Sequence, residues 1–254
     1  MTRSHLRPAF SSRPLLMLPH RFTGYIVGND DDSFEHVLDV AHADQNLGVK
    51  NGLNPCHFLI VVDPFDEKIG LKLPNFSADI VLVSHQHADH NNVAAIKGSP
   101  VLIDSPGEYE VKGVFVQGVA AWHDDHQGKD RGPDTIYVME AEQVRVCHLG
   151  DLGQKELTDE QLEKIGVVDI LMIPVGGTFT IGHAEAGKII SQIEPKVVIP
   201  MHYALPKLNI KELEGVEKFL KAMGKSAPEP LDKLAVKQST LPKEGAMEIV
   251  VLKP

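Results

Sequence analysis

Cysteine is almost missing. Cys56 and Cys147 are the only two in 254 residues, they lie far apart, and no CxxC occurs. That pattern excludes a disulfide scaffold and a thiolate zinc cluster. Cys147, inside the alternating run QVRVCHLG, reads as a small core residue, and a reducing, cytoplasmic setting fits. Long apolar runs are also missing: none approaches the ~20 residues that a membrane helix needs, so no membrane span is expected. Basic charge is scarce after the first residues. Residues 1–22 hold Arg3, Arg7, Arg13 and Arg21 without an acid, which leaves 21 basic against 35 acidic side chains in the remainder. An acidic body disfavours sequence-independent nucleic-acid binding, which works by neutralising phosphates. The arginine- and serine-containing start resembles a transit peptide in composition, but a disordered tail is the simpler reading, and PLLML is too short for a secretory apolar region. No repeat of fixed period is present.

What the chain does contain is a succession of short strand-like runs. HFLIVV, DIVLVS, PVLID, GVFVQGVAAW, DTIYVME, QVRVCHL, DILMIPV, KVVIP and MEIVVL are rich in valine and isoleucine and bounded by turn-forming residues. Several are almost wholly apolar, as strands covered on both faces are. Three segments read as helices. LTDEQLEKIG has Thr158 as N-cap, Gln161 to complete a capping box and Gly166 as a stop. HAEAGKIISQI aligns Ala186, Ile189, Ile190 and Ile193, and NIKELEGVEKFLKAMG aligns Ile210, Leu213, Val216, Phe219, Leu220 and Met223. The whole is an α/β layered domain over residues 58–254. Residues 1–57 form an atypical N-terminal segment, partly disordered or contributing edge strands, with TGYIVG as a strand, SFEHVLDVAHA as a short helix and DQNLGVKNGLNP as turns.

The chemistry concentrates in SHQHADHNN, residues 84–92, which follows the strand DIVLV. His85 and His87, one residue apart in extended chain, turn their imidazoles to the same side. Asp89 and His90 follow where the chain is expected to enter a helix near DHNNVAAI. Further metal-ligand types recur at strand ends: His123 after GVAAW, Asp151 after RVCHLG and His202 after KVVIPM. Five histidines and two aspartates without cysteine suit Zn²⁺ or Mn²⁺, with iron a weaker fit.

These segments, in this order, resemble the motifs of the metallo-β-lactamase superfamily. HQHADH matches its HxHxDH signature, His123 the third-motif histidine, Gly150–Asp151 the fourth motif and His202 the fifth; DPF, HLGDLG, IPVGGTFT and PMHY resemble the branch that includes ascorbate-6-phosphate lactonase. The resemblance implies an αββα sandwich of two mixed sheets flanked by helices, with two divalent metal ions at the sheet edges. His85, His87 and His123 would hold one ion, Asp89, His90 and His202 the other, and Asp151 would bridge. It also implies hydrolysis of an ester, lactone or phosphoester by a hydroxide shared between the ions, with Asp89, Asp151 and His148 as the residues on which the reaction turns.

Histidine at 87 argues against the di-iron branch, and aspartate at 151 against antibiotic hydrolysis. His126 competes with His123 for the third-motif position. His148 and Asp63 are expected to orient the ligands by hydrogen bonds. Gly176 and Gly177 could bring backbone N–H groups to a substrate, Arg131 could pair with a phosphate, and His183 either caps a helix or faces the pocket. The partner expected is a small molecule, phosphorylated lactones included, and homo-oligomerisation is left open. A phosphodiesterase or nuclease on the same site and a metal-binding scaffold without turnover are the alternatives. The branch normally opens with a strand pair before DPF, and residues 1–57 show nothing equivalent.

Overall fold

A computed structural model of the chain describes residues 21–25, 37–40 and 57–253, except 72, 74, 76, 207 and 211. Two of its early segments depart from the sequence reading. β1 (Arg21–Tyr25) overlaps TGYIVG, but β2 (Val37–Val40) is a strand inside the stretch expected to be helical. β2 pairs antiparallel with β1 on one side and parallel with β13 (Lys233–Val236) on the other. Such ladders supply backbone partners on both sides, and tertiary pairing overrides local propensity. A strand pair therefore does precede DPF. The rest of residues 1–56 lies outside the described residues.

β1 also pairs in parallel with β3 (His57–Phe58), which only Leu59 separates from β4 (Ile60–Val62). β4, β5 (Ile80–Leu82) and β6 (Val101–Ile103) form a parallel trio. The first half of the sandwich thus comprises a four-stranded sheet, β13-β2-β1-β3, and a three-stranded sheet, β4-β5-β6, linked along the chain at Leu59. The other sheet has seven strands in the order β14-β12-β11-β10-β9-β8-β7. They are β7 (Gly107–Val111), β8 (Val114–Trp122), β9 (Pro133–Ala141), β10 (Val144–His148), β11 (Ile170–Pro174), β12 (Val197–Met201) and β14 (Glu248–Ile249). The sequence reading omits β7 and β13. Alternating glutamates in GEYEV and only four residues in KLAV give little apolar signal.

The near-continuous apolar runs are explained by their two faces. Ile60, Val62, Ile80, Leu82 and Ile103 meet Tyr137, Met139, Val146, Met172 and Ile199 between the sheets. The intervening Ile136, Val138, Cys147, Leu171, Ile173 and Val198 pack outward against helices. These are α1 (Asp159–Ile165), α2 (His183–Ile193) and α3 (Val216–Ala222). On the far side Val61, Val81 and Val83 are covered by Phe65, Ile69, Ile96, Leu208 and Leu213. The order of layers is that of an αββα sandwich. Over the first sheet, however, the described residues supply short 3-10 turns, Glu67–Ile69 and Val93–Ala95, in place of α-helices.

α1 has the expected capping box, with Gln161 N–H donating to Thr158 Oγ1 and Gly166 as C-cap. α2 matches its expected span. α3 is shorter than the stripe from Ile210 predicts. Gly215 is extended and starts the helix, and Glu214 N–H is drawn to Gly176 O. Ile210 and Leu213 pack on the first sheet while Val216, Phe219, Leu220 and Met223 pack on the second, so one apparent stripe serves two cores. The helix expected at DHNNVAAI is likewise only the Val93–Ala95 turn.

Tyr137 binds the sheets to each other. Its buried hydroxyl lies 2.9 Å from Val83 O and 3.1 Å from Ile103 O, at the ends of β5 and β6. Tyr137→Phe leaves both carbonyls buried without that donor, and a loss of about 1–2 kcal/mol is expected in chemical denaturation.

Candidate metal centre

Strand direction assembles the site. β10, β11 and β12 are mutually parallel, and β8 runs the same way as β10 because both are antiparallel to β9. His123, Asp151 and His202 therefore leave the second sheet at one edge. Asp63 and His85 follow β4 and β5 at the facing edge of the first sheet. Glycine at 150 is required locally: it has φ +55°, and a Cβ there would fall 2.3 Å from Asp134 Oδ1. Gly176 is fixed by close approach, since its Cβ would fall 2.1 Å from His202 O. Asp63 and His202 take left-handed backbone at φ 51° and 52°, a strained conformation held at both ends of the cluster.

The Nε2 atoms of His90, His123 and His202 each lie 3.4 Å from Asp151 Oδ2, and His85 Nε2 lies 4.0 Å from it. His87 completes the ring cluster at 4.6 Å from His85 and 5.0 Å from His123, centroid to centroid. His85 Nε2 and His90 Nε2 are buried without a hydrogen-bond partner, as are His123 Nδ1 and His202 Nδ1. Two donors about 2.0–2.2 Å from one tetrahedral ion stand about 3.3–3.6 Å apart. The cluster has that spacing, and buried orphan nitrogens of this kind need an explanation. His85, His87 and His123 can offer ligand atoms within 4.8 Å of one another, and so can His90, Asp151 and His202. Asp89 stands beside the second trio, with its carboxylate 3.8 Å from His90 Nε2 and about one third exposed. Asp63, His85 and His90 form a third such group, but Asp63 is engaged elsewhere.

Asp63 accepts from Ser84 N–H at 2.7 Å and from Ser84 Oγ at 2.6 Å. With its proton so committed, Ser84 Oγ accepts from His85 Nδ1 at 3.0 Å, leaving the Nε2 lone pair of His85 toward Asp151. Asp63 Oδ2 also faces His90 Nδ1 at 3.3 Å. Burial pulls His85 down to about 3, helped by neighbouring His90. Burial acts the same way on His90, but Asp151, Asp63 and Asp89 outweigh it and raise it to about 10. Burial resists charge on Asp151, yet the surrounding histidines hold it well below the usual carboxylate range.

Other expected residues lie around this cluster. His148 is buried and accepts from Gly150 N–H through Nδ1, so it holds the turn that carries Asp151. His126 is exposed and paired with Asp130 at 2.6 Å, outside the cluster that His123 joins. Asp124 accepts four backbone N–H groups, from residues 126, 128, 130 and 131, and so shapes the loop after His123. Arg131 ties that loop to the next by donating to Phe179 O and Thr178 O, and it stacks 5.3 Å over the Phe179 ring. His183 opens α2 and its Nδ1 contacts Glu214 at 2.9 Å. Arg131, Gly177 and His183 line a polar cavity of about 520 Å³ beside Asp124 and Gly153. None of the clustered histidines lines it, and Gly153, packed on the His123 carbonyl, forms part of the wall.

Sequence reasoning missed Asp134 and Ser84. Asp134 is the second residue of β9, is 1% exposed, and accepts from Asp151 N–H at 3.3 Å. Burial, with Asp151 and Asp63 nearby, pushes its carboxyl well above the usual range. A lone aspartate opening the apolar run DTIYVME was the available signal.

A family model described as the beta-lactamase superfamily domain matches residues 57–202, from β3 to His202. A UPF0173 metal-dependent hydrolase of Archaeoglobus fulgidus is 31% identical over 199 residues, covering 65% of this chain and 84% of that protein. Another from Pyrococcus horikoshii is 29% identical over 172 residues, covering 57% and 76%. Among solved structures, a candidate Zn-dependent hydrolase of the metallo-β-lactamase superfamily from Thermotoga maritima is 38% identical with a TM-score of 0.58, over 76% of this chain and 90% of that one. A Parabacteroides distasonis structure at 18% identity and TM-score 0.52, over 76% and 85%, shares the fold.

Proposed function

The chain belongs to the β-lactamase superfamily, and on that premise we propose that it is a metal-dependent hydrolase with two divalent ions, acting on an ester, a lactone or a phosphoester. The observation that carries the proposal is the convergence of three imidazole Nε2 atoms at 3.4 Å on one carboxylate oxygen. That spacing is longer than the ~2.7–2.9 Å typical of a charge-assisted N–H···O bond and right for ligands sharing an ion. In this reading His85, His87 and His123 would hold one ion and Asp89, His90 and His202 the other, with Asp151 as the ligand they would share. Zinc or manganese suits this nitrogen and oxygen set better than iron. Ions so placed would supply Lewis-acid polarisation of a carbonyl or phosphoryl oxygen and a nucleophile at neutral pH.

The protein's own groups set the geometry. Asp63 and Ser84 select the His85 tautomer that presents Nε2, and His148 keeps the Asp151 turn in place. The 520 Å³ cavity beside the cluster is of small-molecule size. Its lining sets Arg131 and Lys155 among Asp124, Asp125, Asp130, Glu185 and Glu214, so a small polar ester or lactone suits it better than a phosphorylated one. No described helix is long and apolar enough to cross a membrane, and cytoplasmic residence is part of the proposal.

Elemental analysis and hydrolysis assays test this together. Purified protein should carry close to two ions per chain. It should lose turnover of lactone, thioester or phosphodiester substrates on chelation and recover it with Zn²⁺ or Mn²⁺. A stoichiometry well below one would sink the proposal. Full metal content without turnover on any substrate would favour the non-catalytic scaffold, and cleavage of bis(p-nitrophenyl) phosphate and single-stranded RNA alone would favour the nuclease.

A further inference from the structure

We propose that Asp134 is a positioning residue for the metal centre, fixing the turn that presents Asp151; the inference rests on the two-metal reading and extends it. Asp134 sits where three ligand-bearing segments meet. It pairs across the ladder with Ala121, two residues before His123. Its Oδ1 accepts from Asp151 N–H at 3.3 Å and stands 3.8 Å from His85 Nδ1. The same oxygen fills the space that a side chain at 150 would take, since a Cβ there would fall 2.3 Å from Oδ1 and 2.9 Å from Cγ. Gly150 and Asp134 are thus one fitted pair, and Asp151 follows directly from it.

The location also argues against a purely structural role. Asp134 Oδ2 is buried with no partner among the described residues. Burying a carboxyl group against a single long hydrogen bond, with its second oxygen unpartnered, is unfavourable to folding. A small apolar group would satisfy the fold better. What the carboxylate provides is an acceptor aimed at the backbone of Asp151, the residue on which four histidines converge. Groups that orient metal ligands in this way typically change metal affinity by about 10–100-fold when removed.

The test is metal titration of the full-length apoprotein with a competing chromophoric chelator, together with the visible spectrum of the Co²⁺ form. Asp134→Ala should weaken both ions by about 10–100-fold and shift the Co²⁺ absorption. Asp134→Asn keeps an oxygen at the Oδ1 position, so it should recover most of the affinity and spectrum without lowering the melting temperature of the apoprotein. If Asp134→Ala gives no folded apoprotein by circular dichroism, Asp134→Ser, whose hydroxyl is too short to reach Asp151 N–H, replaces it with the same expectation. Unchanged affinities and spectrum in the alanine or serine variant would overturn the inference, as would an asparagine variant as impaired as alanine. Wild-type protein that binds no ions would instead remove the two-metal reading itself.

Discussion

Asp151→Ala is expected to abolish hydrolysis and strip the protein of both ions. Four histidines from two sheets point Nε2 at this carboxylate, three at 3.4 Å and one at 4.0 Å. Without it, the four imidazoles lose the one carboxylate they have in common, and a cation has no shared ligand. A loss of at least ~10³-fold in kcat/KM, about 4 kcal/mol of transition-state stabilisation, should appear in steady-state assays with saturating Zn²⁺ or Mn²⁺. Elemental analysis should read below one ion per chain. The fold should persist, because the layers between and outside the sheets do not involve Asp151. A variant with full metal content would show that Asp151 is not the shared ligand.

Asp63→Ala is expected to have the second largest effect, and of a different kind. Asp63 belongs to neither proposed trio, yet its oxygens accept from Ser84 N–H and Ser84 Oγ and stand 3.3 Å from His90 Nδ1. Removing it leaves the two Ser84 groups buried without acceptors, frees the tautomer of His85 and withdraws the partner of His90 Nδ1. We expect about 3 kcal/mol or more of lost stability in denaturant unfolding of the apoprotein, and affinities for both ions lower by about 10–100-fold. Asp63→Asn should retain part of the stability, because an amide oxygen can still accept from Ser84 N–H. Metal affinities equal to wild type in Asp63→Ala would show that the histidines orient themselves.

The contrast between Asp151 and Asp63 shows how much of the site could be read from sequence. Direct ligand candidates carry a spacing signal: His85 and His87 alternate on an extended segment, and His123, Asp151 and His202 sit at strand ends. The supporting groups carry none. Ser84 is an ordinary serine, and Asp134 is one acid opening an apolar run, so their roles exist only once β4, β5, β9 and β10 bring them together. The fold shows the same division. Runs buried on both faces, such as DTIYVME and KVVIP, were legible, whereas GEYEV at a half-exposed edge was not. Residues 209–224 illustrate the opposite error. A helical period was present in the sequence, but its first two apolar residues belong to a different core, and only Gly215 marks the break.

The placement of the ligands at facing edges has one more consequence. On the proposed assignment, His85, His87, Asp89 and His90 belong to the first sheet's loops, and His123, Asp151 and His202 to the second's. Bound ions would therefore act as rivets through the open seam of the sandwich, one joining the loop after β5 to the loop after β8 and the other joining it to His202, more than a hundred residues further along the chain. A ligand that binds only the folded state adds about 2.7 kcal/mol at a free concentration one hundred times its dissociation constant. Resistance to unfolding and cellular ion supply become a single variable for such a molecule. Scarcity of the ion would lower the stability margin of a fold whose inter-sheet core holds without it, as well as silence the site.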